Sequence, residues 1–96
     1  MKFQIQKSAD NLQNLVRDLG YRPLGYTPEG ELNCVRPLGA DYPRFHLYIR
    51  EGAESFTFSL HLDQKKPSYG RETAHSGDYD GPVVQEEVVR IQQTAR

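Results

Sequence analysis

Histidines can exchange a proton near neutral pH, and this chain has three of them. His46 and His61 both fall in segments that alternate polar and apolar residues, a pattern typical of strands. If the two strands pair, the two imidazoles share one face of a sheet, where they can act in general acid–base catalysis. His46 and His61 are therefore candidate catalytic residues.

A divalent metal is the second chemistry that these residue types permit. His61 and Asp63 are two residues apart, so they point the same way if the strand continues that far. If the following loop folds back, His75 with Asp78 or Asp80 completes a set of imidazole and carboxylate ligands. A purely structural role is the alternative, because Asp78 also suits a turn and the sequence lacks the HExxH and paired-cysteine spacings. The predicted metal ligands are His61, Asp63, His75 and Asp78.

Two strands must position the histidines, and each alternates over enough residues to define an apolar face. Phe, Leu and Ile alternate with polar residues in 44–50, and Phe and Leu do so in 54–62. Gly52 begins the connection, which suits a two-residue type II′ turn. That turn predicts the register Glu51–Glu54, Ile49–Phe56, His46–Ser59 and Arg44–His61.

The other face of these strands is polar and is predicted to meet solvent or a ligand. An arginine can hold a phosphate and a tyrosine can stack on a base. Two lysines follow in the next loop. The same strand positions are also explained without a ligand, because solvent-facing positions favour Thr and Tyr. The predicted ligand-binding residues are Arg44, His46, Tyr48, Arg50, His61, Lys65 and Lys66.

The remaining elements frame these strands. Residues 9–19 have helical spacing of leucine and valine, with Ser8 as the predicted N-cap and Gly20 as the stop. A first strand is predicted in 1–6, and a hairpin joins strands 21–26 and 31–36. Residues 64–81 are predicted to form a long loop, after which Pro82 is expected to open a C-terminal helix. The fold class is α+β, with three to four antiparallel strands and both helices on one face, in the order (β)-α-β-β-β-β-α.

Length and composition narrow the classes of protein. Ninety-six residues predict one domain over 1–96. A net charge of −1 excludes a strongly basic nucleic-acid binder, and a single cysteine excludes an internal disulfide. The sequence shows neither a membrane span nor a signal-peptide pattern, so a cytoplasmic protein without membrane contact is predicted.

The order helix, three or four strands, helix resembles the double-stranded-RNA-binding-domain-like fold. Residues 15–21 end in Leu19-Gly20-Tyr21, residues 45–49 include His46, and residues 58–62 include His61. In these segments the chain resembles the HicA-type mRNA-interferase toxins, which have a helix ending in leucine-glycine-aromatic and a histidine opening the second strand. The resemblance implies that His46 is the catalytic histidine and His61 a later one.

Three functions remain open from the sequence. The first is a small binding module that contacts RNA or another phosphate-bearing ligand through the polar sheet face and the 64–81 loop. The second is a hydrolase of phosphodiesters that uses a divalent metal or its histidines, with His61, Asp63 and His75 at the centre. The third is a protein-interaction or self-associating domain without site chemistry, which a net charge near zero suits.

Overall fold

The computed structural model describes residues 1–64 and 77–95, with the backbone alone for residues 77 and 78. Strands and helices alternate in the order β1, α1, β2, β3, β4, β5, β6, α2. The strands are β1 (Lys2–Gln6), β2 (Arg22–Tyr26), β3 (Leu32–Pro37), β4 (Arg44–Glu51), β5 (Ser55–Asp63) and β6 (Gly77–Asp78). The helices are α1 (Leu12–Leu19) and α2 (Pro82–Thr94).

The strands form one antiparallel sheet in the order β1-β5-β4-β3-β2, and β6 pairs with the end of β5. The α+β class is confirmed, but the predicted count of three to four strands is too low. The first strand is a full member of the sheet, because β1 pairs with β5 from Lys2 opposite Ser59 to Gln6 opposite Ser55. The strands with the histidines, β4 and β5, therefore lie inside the sheet.

The predicted register of β4 and β5 is wrong by two residues. Glu51 pairs with Phe56, and the N–H of Gly52 donates to the carbonyl of Ser55 at 2.8 Å, so the connection is longer than the predicted two-residue turn. Because side chains alternate with a period of two, such a shift leaves every side chain on its predicted face. The face assignment holds, while the pairs become His46–His61, Arg44–Asp63, Ile49–Phe58 and Tyr48–Ser59.

Helix α1 begins later than the sequence predicts. The N–H of Lys7 still bonds to the carbonyl of Glu54 at 3.0 Å, so the chain leaves the sheet only after this residue. The N-cap is Asn11, whose side chain accepts from the N–H of Asn14 at 2.8 Å, and the predicted cap at Ser8 is wrong. Gly20 ends the helix with φ 90°, as predicted.

Helix α2 begins at Pro82, as predicted, and its N-cap is Gly81. Its buried residues join a hydrophobic cluster that includes buried residues of α1 and the apolar side of β4 and β5. Phe58 and Leu47 in this cluster are fully buried. The polar side chains of β4 and β5 therefore lie on the opposite face of the sheet, away from this core.

Glu87 is a charged residue inside this packing, with a side chain only 3% exposed. Its carboxylate accepts from the hydroxyl of Tyr21 at 2.6 Å and from two nitrogens of Arg90, each at 2.8 Å. Arg36 approaches the same carboxylate at 3.4 Å. These contacts satisfy the buried charge. They also link α2 to Tyr21, which directly precedes β2, and to Arg36 on β3.

The predicted loop 64–81 is corrected at its far end. Gly77 and Asp78 form β6 and pair with Asp63 and Leu62, which returns the chain to the sheet. Residues 65–76 lie outside the described residues, and with them the predicted positions Lys65, Lys66 and His75. Within the described residues, no helix has the length and apolar character needed to cross a membrane.

Candidate functional site

The carboxylate of Asp63 is shared by two histidines on the polar face of the sheet. Nδ1 of His46 lies 2.9 Å from one oxygen of Asp63, and Nε2 of His61 lies 2.8 Å from the other. The sheet imposes this arrangement, since His46 and His61 are direct partners across β4 and β5 and Asp63 follows two residues later on the same face. All three side chains are largely but not fully buried.

Arg44 and Asn33 complete the hydrogen bonding around this group. Nε of Arg44 donates to Asp63 at 3.3 Å, from the position directly opposite it on β4. Nε2 of His46 faces Oδ1 of Asn33, which lies on β3 opposite Tyr48. Five side chains from three strands thus form one network, which fixes both ring nitrogens of His46.

Burial changes the acidity of two groups in this network. It lowers the pKa of His46, because the charged imidazolium loses hydration, and the nearby carboxylate of Asp63 opposes that effect. Burial also raises the pKa of Tyr48, and the negative charges of Asp63 and Glu31 act in the same direction. The neutral forms of both side chains are therefore favoured by their surroundings.

Four rings follow one another across the polar face. The ring of Tyr48 stacks on His46 at a centroid distance of 4.7 Å, His46 lies 4.9 Å from His61, and His61 stacks on Tyr79 at 4.9 Å. Tyr79 lies just after β6 and is 59% exposed. We call these four residues the ring row; its Tyr79 end is open to an incoming planar group.

The ring row lines a cleft of about 570 Å³ on the polar face. Lys2 and Arg44 bring positive charge to its walls, and Ser59 adds a hydroxyl. Arg44 also lies over the ring of Tyr42, with the guanidinium carbon 4.6 Å from the centroid. The cleft therefore combines cations, flat aromatic surfaces and a histidine–carboxylate group, and its volume is that of an ordinary small-molecule site.

The structure brings five of the ten predicted site residues together. Arg44, His46, Tyr48 and His61 line the cleft, as does Asp63. Arg50 is not among the described residues that line it; its guanidinium lies 3.6 Å from Glu31. Lys65, Lys66 and His75 lie outside the described residues, and for Asp78 the structure describes the backbone pairing alone.

Sequence reasoning missed Asn33, Lys2 and Tyr79. Asn33 reaches His46 through the pairing of β3 with β4, and the irregular connection between those strands carries no turn signature that would give their register. Lys2 reaches the cleft because β1 lies next to β5. The sequence shows Tyr79 as an aromatic residue in a polar segment, which is a weak signal. Its contact with His61 depends on the pairing of β6 with β5, which the sequence does not predict.

No protein-family model matches this chain, and neither the curated proteins nor the solved structures contain a match to it.

Proposed function

We propose that the cleft on the polar face binds one nucleotide unit, that is, an aromatic base together with a phosphate, either as a free nucleotide or as part of RNA. The observation that carries this proposal is the ring row beside Arg44. A base can stack on the exposed ring of Tyr79, and the guanidinium of Arg44 or the ammonium of Lys2 can bind the phosphate.

The size and charge of the site favour a single unit over a long stretch of nucleic acid. A volume of about 570 Å³ lies within the range of small-molecule sites. The chain has a net charge of −1, so it lacks the excess of cations that binds an extended phosphate backbone. Stacking and one or two cationic contacts must then supply most of the affinity.

Two further parts of the proposal concern the surroundings of the cleft. We propose that both helices pack on the apolar face of the sheet, which leaves the polar face free for a ligand. We also propose that Lys65 and Lys66, which follow β5 in the sequence and lie outside the described residues, add phosphate contacts.

Isothermal titration calorimetry tests the proposal with four ligands: AMP, adenosine, ribose 5-phosphate and a single-stranded RNA tetramer, all with EDTA present. We expect AMP to bind at least about tenfold more tightly than adenosine, which lacks the phosphate, or ribose 5-phosphate, which lacks the base. A tetramer that binds more tightly than AMP identifies RNA as the source of the nucleotide. If neither AMP nor the tetramer binds saturably, the proposal is contradicted.

A second candidate, hydrolysis of a phosphodiester, is favoured by the carboxylate that His46 and His61 share. An aspartate that orients a histidine is a common feature of acid–base sites. The HicA-like prediction, in which His46 is catalytic, belongs to this candidate. Cleavage of bis(p-nitrophenyl) phosphate or RNA that is lost in His46→Gln would support it, and equal rates in the two proteins would reject it.

The third prediction from the sequence, a domain that binds proteins or itself, is tested independently by sedimentation velocity. A concentration-dependent sedimentation coefficient would support self-association.

A further inference from the structure

We propose that His46, His61 and Asp63 form a binding site for one divalent transition-metal ion, with zinc as the test ion. One imidazole nitrogen of His46, one of His61 and a carboxylate oxygen of Asp63 lie within 4.8 Å of one another. Two imidazoles and one carboxylate are a ligand set that zinc and other divalent metals accept, with further positions left for water or a ligand. This proposal does not depend on nucleotide binding.

The sheet holds the three ligands in place without help from a loop. His46 and His61 face each other across β4 and β5, and Asp63 lies two residues beyond His61 on the same face. Both strands are paired on both sides along much of their length, since β3 borders β4 and β1 borders β5. Ligands on such paired strands are already close together before a metal arrives, so little ordering is needed on binding.

Asn33 and Asp63 orient the imidazole of His46. Oδ1 of Asn33 faces Nε2 of the ring, and a carboxylate oxygen of Asp63 lies 2.9 Å from Nδ1. A carboxylate oxygen accepts, so the position between it and Nδ1 suits a proton or a metal ion. The ring is therefore already turned with Nδ1 towards another ligand of the proposed site.

A metal ion satisfies every one of these contacts. With the metal on Nδ1, the N–H at Nε2 donates to Asn33, which is the usual arrangement of a metal-bound histidine and its outer partner. A second proton on His46 is the competing occupant of the same position. The expected metal set differs from the sequence prediction, because His46 replaces His75 and Asp78 as a ligand.

Arg44 limits the strength of the site. Its Nε lies 3.3 Å from Asp63, so one positive charge is already present beside the three ligands. With neutral imidazoles, the negative charge of the carboxylate and the positive charge of the guanidinium cancel. The site then has no net negative charge to attract a divalent ion. We therefore expect binding that depends on the imidazoles, and a preference for zinc over magnesium, which takes oxygen ligands.

The test is a titration of the chelator-treated 96-residue chain with zinc chloride alone, monitored by calorimetry and by NMR of the ¹⁵N-labelled imidazoles. We expect one equivalent to bind, with joint shifts of His46 and His61, and no comparable response to magnesium. His61→Ala and His46→Gln each remove a ligand and should weaken zinc binding by a factor of about 10 or more. Asn33→Leu removes the hydrogen-bond partner of His46 and should weaken zinc binding about tenfold. Circular dichroism establishes that each variant is folded.

His75→Ala is the matched control, because it removes a histidine that the sequence predicts as a ligand. We expect its zinc affinity to equal that of the unaltered protein. Loss of binding in this variant, unchanged binding in His46→Gln, or no saturable binding by the unaltered protein would each overturn the proposed site. Nucleotide binding is measured with EDTA present, so failure of one proposal is seen separately from failure of the other.

Discussion

His46 and His61 are direct partners on neighbouring strands, and the centroids of their rings lie 4.9 Å apart. This pairing places Asp63, two residues after His61, within hydrogen-bond distance of both imidazoles. It also lets Tyr48 and Tyr79 extend the two rings into a row. The polar face therefore acquires a compact group of aromatic and ionisable side chains from the register of two strands.

Arg44→Gln should weaken the binding of AMP by a factor of about 10 or more, because a hydrogen bond to a charged phosphate contributes roughly 1.5–3 kcal/mol. Calorimetry measures the change. Arg17→Gln is the charge-matched control, since Arg17 lies on α1 with a side chain 73% exposed, away from the cleft. Equal losses in the two variants would show that Arg44 acts through overall charge.

Tyr79→Ser should lower the affinity for AMP by about tenfold and leave that for ribose 5-phosphate unchanged. Stacking of a base on an aromatic side chain contributes about 1–3 kcal/mol, and ribose 5-phosphate has no base. Tyr79→Phe keeps the ring and should retain the affinity for AMP. If both ligands lose affinity equally in Tyr79→Ser, the tyrosine does not act as a stacking surface.

Glu87→Gln should lower the free energy of unfolding by about 3 kcal/mol, because it leaves Arg36 and Arg90 without their buried counter-charge. Urea denaturation followed by circular dichroism measures this loss. Glu86→Gln removes the same charge from the neighbouring, exposed position of α2 and should change stability by less than about 0.5 kcal/mol. Similar effects of the two substitutions would contradict the structural role given to Glu87.

Cys34 should react slowly with iodoacetamide at pH 8. Its thiol is fully buried, and burial raises its pKa to about 12, so little of the reactive thiolate exists at this pH. We expect labelling of the folded protein to be at least ~100-fold slower than labelling in guanidinium chloride, as mass spectrometry would show. Comparable rates in the two conditions would place Cys34 outside the core.

Much of the fold follows from patterns along the chain. Alternation in 44–50 and 54–62 fixes which side chains of β4 and β5 face the core, and Gly20 and Pro82 mark helix boundaries. Each of these features depends on residues that are neighbours along the chain, so the sequence alone predicts it. The start of α1 is different, because Ser8 and Asn11 are both favourable N-cap types and the sequence does not choose between them. The bond from the N–H of Lys7 to the carbonyl of Glu54, which keeps the chain on the sheet just before Ser8, is a non-local contact.

The candidate site shows the same division more sharply. Alternation predicts that His46 and His61 share a face, but two registers that differ by two residues satisfy it equally well. The choice between them depends on the length of the connection closed by Gly52 and Ser55. Asn33 depends on yet another strand pairing, so its contact with His46 has no signal in the sequence.

The most direct test of nucleotide binding at the polar face is an NMR titration of ¹⁵N-labelled protein with AMP, with EDTA present. The account predicts saturable shifts that are largest at Arg44, His46, Tyr48, His61 and Tyr79, with α1 and α2 nearly unchanged. Shifts centred on the helices, or no saturable shift at the cleft at millimolar AMP, would contradict it.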